Sequence, residues 1–182
     1  MPKPKLPIET LLERARQLNE SDARQEIVLS RLLQHTTNQL LCRHNEALKR
    51  YQLNDTLFTA LVLLYTSEHY SLQPSELSDL LNTSRTSATR IADELVARGW
   101  ISRELLDGDR RCFQLTLNET GLAFMQSLLP EQRQRLRNQW AQFSTEENNS
   151  LNICCTSCCS NAEWRMLPLS TIPYYRAKEE FS

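Results

Sequence analysis

Glycine is scarce, with 3 in 182 residues. Phosphate-cradling loops need several glycines close together, and no such loop exists in this chain. The same scarcity favours a mainly helical fold over a sandwich or barrel, whose many tight turns consume glycine. Charge of one sign is also missing: 21 Lys and Arg stand against 22 Asp and Glu. No global positive field announces a nucleic-acid partner, so any DNA site must be a local patch. No stretch approaches the roughly 20 apolar residues of a membrane span. A basic segment followed by an apolar core and a small-residue cleavage site is absent from the start of the sequence. The expected location is cytoplasmic, with no membrane partner. Histidines are few and scattered, and neither Cys42 nor Cys112 stands at a catalytic spacing from one. No enzyme is expected, and no catalytic residue, metal or cofactor is assigned.

The length suits one small domain with helical extensions, large enough to bury a core without disulfide or metal staples. A Lys/Pro-rich lead, Pro2 to Pro7, precedes a short apolar repeat at Ile8, Leu11, Leu12 and Ala15 that reads as a helical arm. Ser21 and Asp22 can cap a longer helix whose Ile27, Leu32, Leu33, Leu40, Leu41 and Leu48 keep a helical period to about Tyr51. An apolar stripe of that length suits packing against a partner chain. Asn54 or Asp55 opens the next helix, and Leu57, Phe58, Leu61, Val62, Leu64 and Tyr65 make it apolar over more than half its circumference, as a buried helix requires.

Pro74 and Glu76 fit the first turn of a short helix with Leu77, Leu80 and Leu81 on one face, ending near Asn82. Thr83 or Ser84 then caps a helix from about Arg85 to Arg98, stopped by Gly99, with Ala88, Ile91, Ala92 and Leu95 facing inward. Its outer face begins Ser84, Arg85, Thr86, Ser87, Thr89 and Arg90 and carries no acid until Asp93. Two short helices joined tightly, the second with a basic leading face, form the layout in which a recognition helix enters the major groove. Arg can donate two parallel hydrogen bonds to guanine or phosphate, and Ser and Thr hydroxyls suit either base or backbone.

Residues 100–105 and 112–117 alternate as strands, and the Asp-Gly turn at Asp107-Gly108 closes them into a hairpin. Its tip carries Asp109, Arg110 and Arg111, placed to reach an adjacent minor groove whose negative potential attracts Arg. Asn118 can cap a further helix through Leu122, Phe124, Leu128 and Leu129, with Pro130 expected to kink or break it before Leu136 and Trp140.

The runs Pro74-Ser75-Glu76-Leu77, Ser84 to Leu95, Arg98-Gly99-Trp100-Ile101, Asp107 to Arg111 and Leu115 to Gly121 resemble the MarR family, and within it the EmrR (MprA) branch. Asn118 stands where Thr is more usual in that family, which keeps a capping residue. The resemblance extends from about Pro7 to about Leu151. It implies a winged helix-turn-helix fold, mainly α with a small β-hairpin wing. Residues 1–52 would form the arm and long dimerisation helix, 53–118 the DNA-binding domain, and 119–150 the C-terminal dimerisation region. It further implies a homodimer on a palindromic double-stranded operator, repressing multidrug efflux or stress genes. Small aromatic or phenolic inducers, bound between the dimerisation and DNA-binding parts, would relieve repression. The resemblance sets the recognition helix on Ser84 to Arg98 and the wing tip on Asp109 and Arg111. His35, Asn38, Cys42 and Phe58 are ligand-contact candidates because they lie on helices that border that crevice in the family.

An alternative within the same fold is a thiol-based redox sensor using Cys42, beside Arg43. A zinc site in Cys154-Cys155-Thr156-Ser157-Cys158-Cys159 is disfavoured, because adjacent cysteines rarely close a tetrahedron within so few residues and no second pair stands at a distance. That cluster belongs to residues 151–182, which read as an aberrant, disordered tail. Ser144-Thr145-Glu146-Glu147 is a capping box that announces a helix, yet Ile153 to Pro173 shows no sustained helical stripe. One permitted set of codons for Asn152 to Ser160, read one base earlier behind a leucine codon ending in G, gives Glu-His-Leu-Leu-His-Lys-Leu-Leu-Gln. That is an amphipathic helix, so the expectation is a frame change near Leu151 that removes the last dimerisation helix.

Overall fold

The computed structural model describes residue 10, residues 24–105 and residues 113–160, with the backbone alone at 24 and 158–160. The arm expected around Ile8 to Ala15, the Ser21/Asp22 cap, the wing tip and the chain beyond Ser160 fall outside the described residues. The chain divides into two compact units, 1–55 and 56–182.

The first unit holds α1 (Arg24–Leu48), which runs into a 3-10 turn at Lys49–Tyr51. Its apolar stripe is open: Ile27, Leu29, Leu32, Leu33 and Leu41 are all exposed, Leu33 by 56%. Gln52 ends the turn in the left-handed region at φ 55°, donating its N–H to the Lys49 carbonyl. The Asn45 side chain then accepts from the Asp55 N–H at 2.7 Å, and His44 Nε2 lies 3.4 Å from Asp55 Oδ1. A side chain at the end of one helix thus caps the first residue of the next.

The second unit holds α2 (Asp55–Thr66, counted from the unit boundary), β1 (Ser71–Leu72), α3 (Pro74–Leu80), α4 (Arg85–Ala97), β2 (Ile101–Leu105), β3 (Phe113–Leu117), α5 (Glu119–Trp140) and α6 (Thr145–Ser160). The antiparallel sheet has the order β1-β3-β2. Ile101 pairs with Leu117 and Leu105 with Phe113, while Ser71 pairs with Thr116, their hydroxyls 2.9 Å apart. Leu57, Leu61 and Leu64 of α2 are buried, as are Leu77, Leu95, Ile101, Leu115, Leu117, Met125 and Leu128. The alternation read at β3 therefore puts Leu115 and Leu117 inward, with Phe113 half-buried at the outer end.

Asn118 ties the sheet to the helices around it. Its N–H donates to the Trp100 carbonyl at 3.1 Å, its Nδ2 donates to the Gly99 carbonyl at 3.0 Å, and its Oδ1 caps α5 by accepting from the Gly121 N–H at 2.9 Å. Trp100 and Phe124 stack with ring centroids 4.3 Å apart. Gly121 is required in this corner: a Cβ there would meet the Trp100 carbonyl oxygen at 2.2 Å.

Two expectations are corrected. Of the kink or break expected at Pro130, the break is the part overturned, since α5 runs from Glu119 to Trp140 with Pro130 inside it. The ring deprives the Gln126 carbonyl of its partner, but Gln126 and Pro130 are exposed, so water can reach that carbonyl, while Leu128 and Gln132 on the inner face are buried. The segment 151–160 is likewise helical and not irregular, because α6 continues through the cysteines to Ser160. Its start is the capping box read from the sequence: Ser144 N–H donates to Glu147 Oε2 at 2.8 Å and Glu147 N–H to Ser144 Oγ at 3.2 Å. Once nucleated, a helix loses only some tenths of a kcal/mol per Asn, Thr, Ser or Cys. Leu151, Ile153, Cys154 and Cys155 all face solvent.

Candidate nucleic-acid interface

The site is built on the connection from α3 to α4. Gln73 N–H donates to Glu76 Oε2 at 2.7 Å, and Pro74 supplies the first helical position without needing an N–H partner. Asn82, at φ 47°, takes the left-handed conformation that reverses the chain, a geometry Asn tolerates better than most side chains. The Thr83 N–H then donates to the Ser78 carbonyl at 3.0 Å. Ser84 is extended and caps α4 by accepting from the Ser87 N–H at 3.2 Å, which settles the cap between the two residues the sequence offered.

Ala88, Ala92 and Leu95 turn inward and are buried, Ile91 is half-buried, and the helix stops at Gly99, φ 72°. Arg85, Thr86, Thr89 and Arg90 are exposed together with Ser84, and Ser87 is half-buried beside them. The arginines of this region divide into two classes. Arg98 pairs with Glu94 on its own helix at 2.5 Å, and Arg103 on β2 pairs with Asp93. Arg85 and Arg90 have no acidic partner among the described residues. The acids in the second half of α4 are thus neutralised locally, and the first half, at the positive end of the helix dipole, keeps two available guanidinium groups. Sequence reading placed Asp93 only as the end of the basic face. Its link to Arg103 crosses the Gly99 turn, so no helical spacing announces it.

The wing is described as far as its strands. Arg103 lies 5.3 Å from the centre of the Phe113 ring across the last turns of the ladder. Asp109, Arg110 and Arg111 fall outside the described residues. Of the ligand candidates, His35, Asn38 and Cys42 follow one another at spacings of three and four along α1, half-buried, exposed and exposed respectively. Phe58 is half-buried on α2, in the other unit. Cys42 is a free thiol. Among the described residues, no group of three or more His, Cys, Asp or Glu side chains is arranged to hold a metal ion. No described helix is long and apolar enough to cross a membrane.

Residues 53–113, from the end of the first unit through α4 and into the wing, match the MarR family. The chain is 47% identical over 145 residues to the transcriptional repressor MprA of Escherichia coli strain K12, covering 80% of this chain and 82% of that protein. The chain belongs to the MarR family. It is also 30% identical over 129 residues to the Escherichia coli HTH-type transcriptional regulator PrsX, covering 71% of this chain and 78% of that one. Among solved structures, a MarR variant from Escherichia coli complexed with operator DNA superposes with a TM-score of 0.64 at 25% identity, over 76% of this chain and 99% of that chain. The MarR-family regulator Sco3205 from Streptomyces coelicolor, in complex with DNA, shares the fold with a TM-score of 0.71 at 19% identity, over 79% and 92% of the two chains. The winged-helix fold expected from the resemblance is thus the fold of the family.

Proposed function

We propose that this chain is a DNA-binding transcriptional repressor that reads its operator with the first half of α4. The observation that carries this reading is the division of arginines: Arg98 and Arg103 are held by Glu94 and Asp93, whereas Arg85 and Arg90 stand exposed on an acid-free face with no acidic partner among the described residues. A guanidinium with no protein partner can give both parallel hydrogen bonds to guanine or to a phosphate. Ser84, Thr86, Ser87 and Thr89 complete the face, and Asp109, Arg110 and Arg111 are the further candidate DNA contacts, the two arginines being of the kind that the negative potential of a minor groove attracts. The repressor named among its relatives supports the same reading.

The functional unit is a homodimer on a two-fold operator, because an open leucine-rich stripe along α1 is the kind of surface a second copy covers. It acts in the cytoplasm, represses efflux or stress genes, and is released by small hydrophobic or phenolic ligands. His35, Asn38, Cys42 and Phe58 are the candidate contacts for such a ligand. The test is a titration of the full chain against the duplex upstream of its own gene, in the presence of excess unrelated DNA and with or without salicylate. Retained binding over competitor and release by the phenol support the reading. Binding no tighter than to unrelated DNA contradicts it, and specific binding indifferent to every phenol tried removes the inducer part alone.

A further inference from the structure

We infer that Thr89 reads a thymine through its methyl group, so that each operator half-site holds a thymine next to the bases contacted by Arg85 and Arg90. This rests on α4 being the reading helix. A threonine hydroxyl has one proton to give and two lone pairs to offer. In this chain the proton is already committed: Thr89 Oγ1 donates to the Arg85 carbonyl at 2.9 Å, one helical turn back. The serines are committed as well, since Ser84 Oγ accepts from the Ser87 N–H and the two serine hydroxyls lie 2.9 Å apart.

The consequence is a division of labour on one face. Arg85 and Arg90 supply donors, which match the acceptors of guanine. Thr89, exposed between them, cannot donate to O6, O4 or N7 without breaking its bond to the preceding turn. The branch of Thr89 without a polar commitment is its γ-methyl. In the major groove, the group complementary to a methyl is the C5-methyl of thymine, which no other base presents. The competing possibility is a lone pair of Oγ1 accepting from the amino group of cytosine or adenine, and it makes the opposite prediction about which part of Thr89 matters.

The experiment uses the full chain and the upstream duplex protected in a footprint, with each thymine replaced in turn by deoxyuridine, which deletes only the C5-methyl. Wild type is compared with Thr89→Val, which keeps the methyl and lacks the hydroxyl, and with Thr89→Ser, which does the reverse. At one thymine per half-site, uracil should weaken wild-type binding about fourfold, the value of one buried methyl carbon. Thr89→Val should keep this sensitivity to uracil, at the same thymine. Thr89→Ser should bind the thymine duplex about fourfold more weakly and be indifferent to uracil. Circular dichroism of both variants checks that α4 is intact. A wild type indifferent to uracil at every position, or a Thr89→Ser variant that keeps affinity and sensitivity alike, overturns the inference. In that case sequence-specific binding that is lost in Arg90→Ala leaves the DNA-reading assignment standing. A wild type that does not distinguish the duplex from competitor overturns both.

Discussion

Arg103 on β2 forms an ion pair with Asp93 on α4, and so fastens the first strand of the wing to the second half of that helix. Asp93 is three residues beyond Arg90, close enough on a helix to take that guanidinium for itself. Held by Arg103, it does not. The pair is partly exposed, so its direct contribution to stability is at most about 1 kcal/mol. Its effect on DNA should be larger. Arg103→Ala is expected to weaken operator binding about fivefold to tenfold by releasing Asp93 onto Arg90, and Asp93→Ala in the same chain should recover most of the loss. A double-mutant cycle on operator affinity, with melting curves alongside, checks both points. Equal losses in the single and double variants would mean that Arg103 acts by another route.

Gly121 and Gly99 should respond differently to alanine. At Gly121 the new Cβ would sit 2.2 Å from a backbone oxygen and 2.9 Å from Leu117 Cδ1, so the α5 start must move away from the sheet. The expected cost is roughly 1–3 kcal/mol, as for other overpacked sites. At Gly99 nothing lies within 4 Å, and only the left-handed backbone at φ +72° is strained, for about 1 kcal/mol. Urea denaturation of the two variants checks the order, and a Gly99→Ala variant less stable than Gly121→Ala would contradict it.

Local signals made much of this fold legible. Ser84, Gly99 and Asn118 announce a helix start, a helix stop and another start, and each does so through a bond or dihedral angle that its own side chain permits. The acid-free face of α4 was equally visible because it repeats at helical spacing. What the sequence hid was settled by partners remote along the chain. Ser71–Leu72 is a strand only because β3 pairs with it, and two residues carry no alternation of their own. Pro130 is tolerated inside α5 at an exposed position, and Gln126, whose carbonyl it leaves without an N–H partner, is exposed as well. The helical course of Asn152 to Ser160 was missed because its signal lies upstream, in the Ser144/Glu147 box, and not in the cysteines.

The stripe on α1 makes a prediction about assembly. Ile27 and Leu33 are exposed by 53% and 56%, and burying a leucine is worth about 1.5–3 kcal/mol. Leu33→Glu should therefore shift the chain from dimer toward monomer by at least tenfold in dissociation constant while leaving helix content intact. Sedimentation equilibrium measures it. An unchanged association constant would show that the stripe is not the subunit contact.

The tail carries a prediction about the gene. α6 is helical and exposes Leu151, Ile153, Cys154 and Cys155, but a cysteine buries less apolar area than a leucine, so these residues grip a partner less strongly than a leucine-lined face would. The alternative frame, with leucines in place of the doubled cysteines, supplies that face. We expect re-sequencing to find a lost base near the Leu151 codon, and expect the restored chain to dimerise more tightly and bind operator at lower concentration. A confirmed gene sequence with equal dimerisation of the two chains would refute this.

The reading face of α4 is tested most directly by fluorescence anisotropy of the upstream duplex over a salt series, with wild type, Arg90→Ala and Arg111→Ala. Arg90→Ala should lose about 1–3 kcal/mol of operator affinity, with little change on unrelated DNA. Arg111→Ala should weaken binding to every sequence and lower the salt slope by about one phosphate contact. Unchanged operator affinity in both variants across the whole series would contradict the assignment of α4 and the wing to DNA.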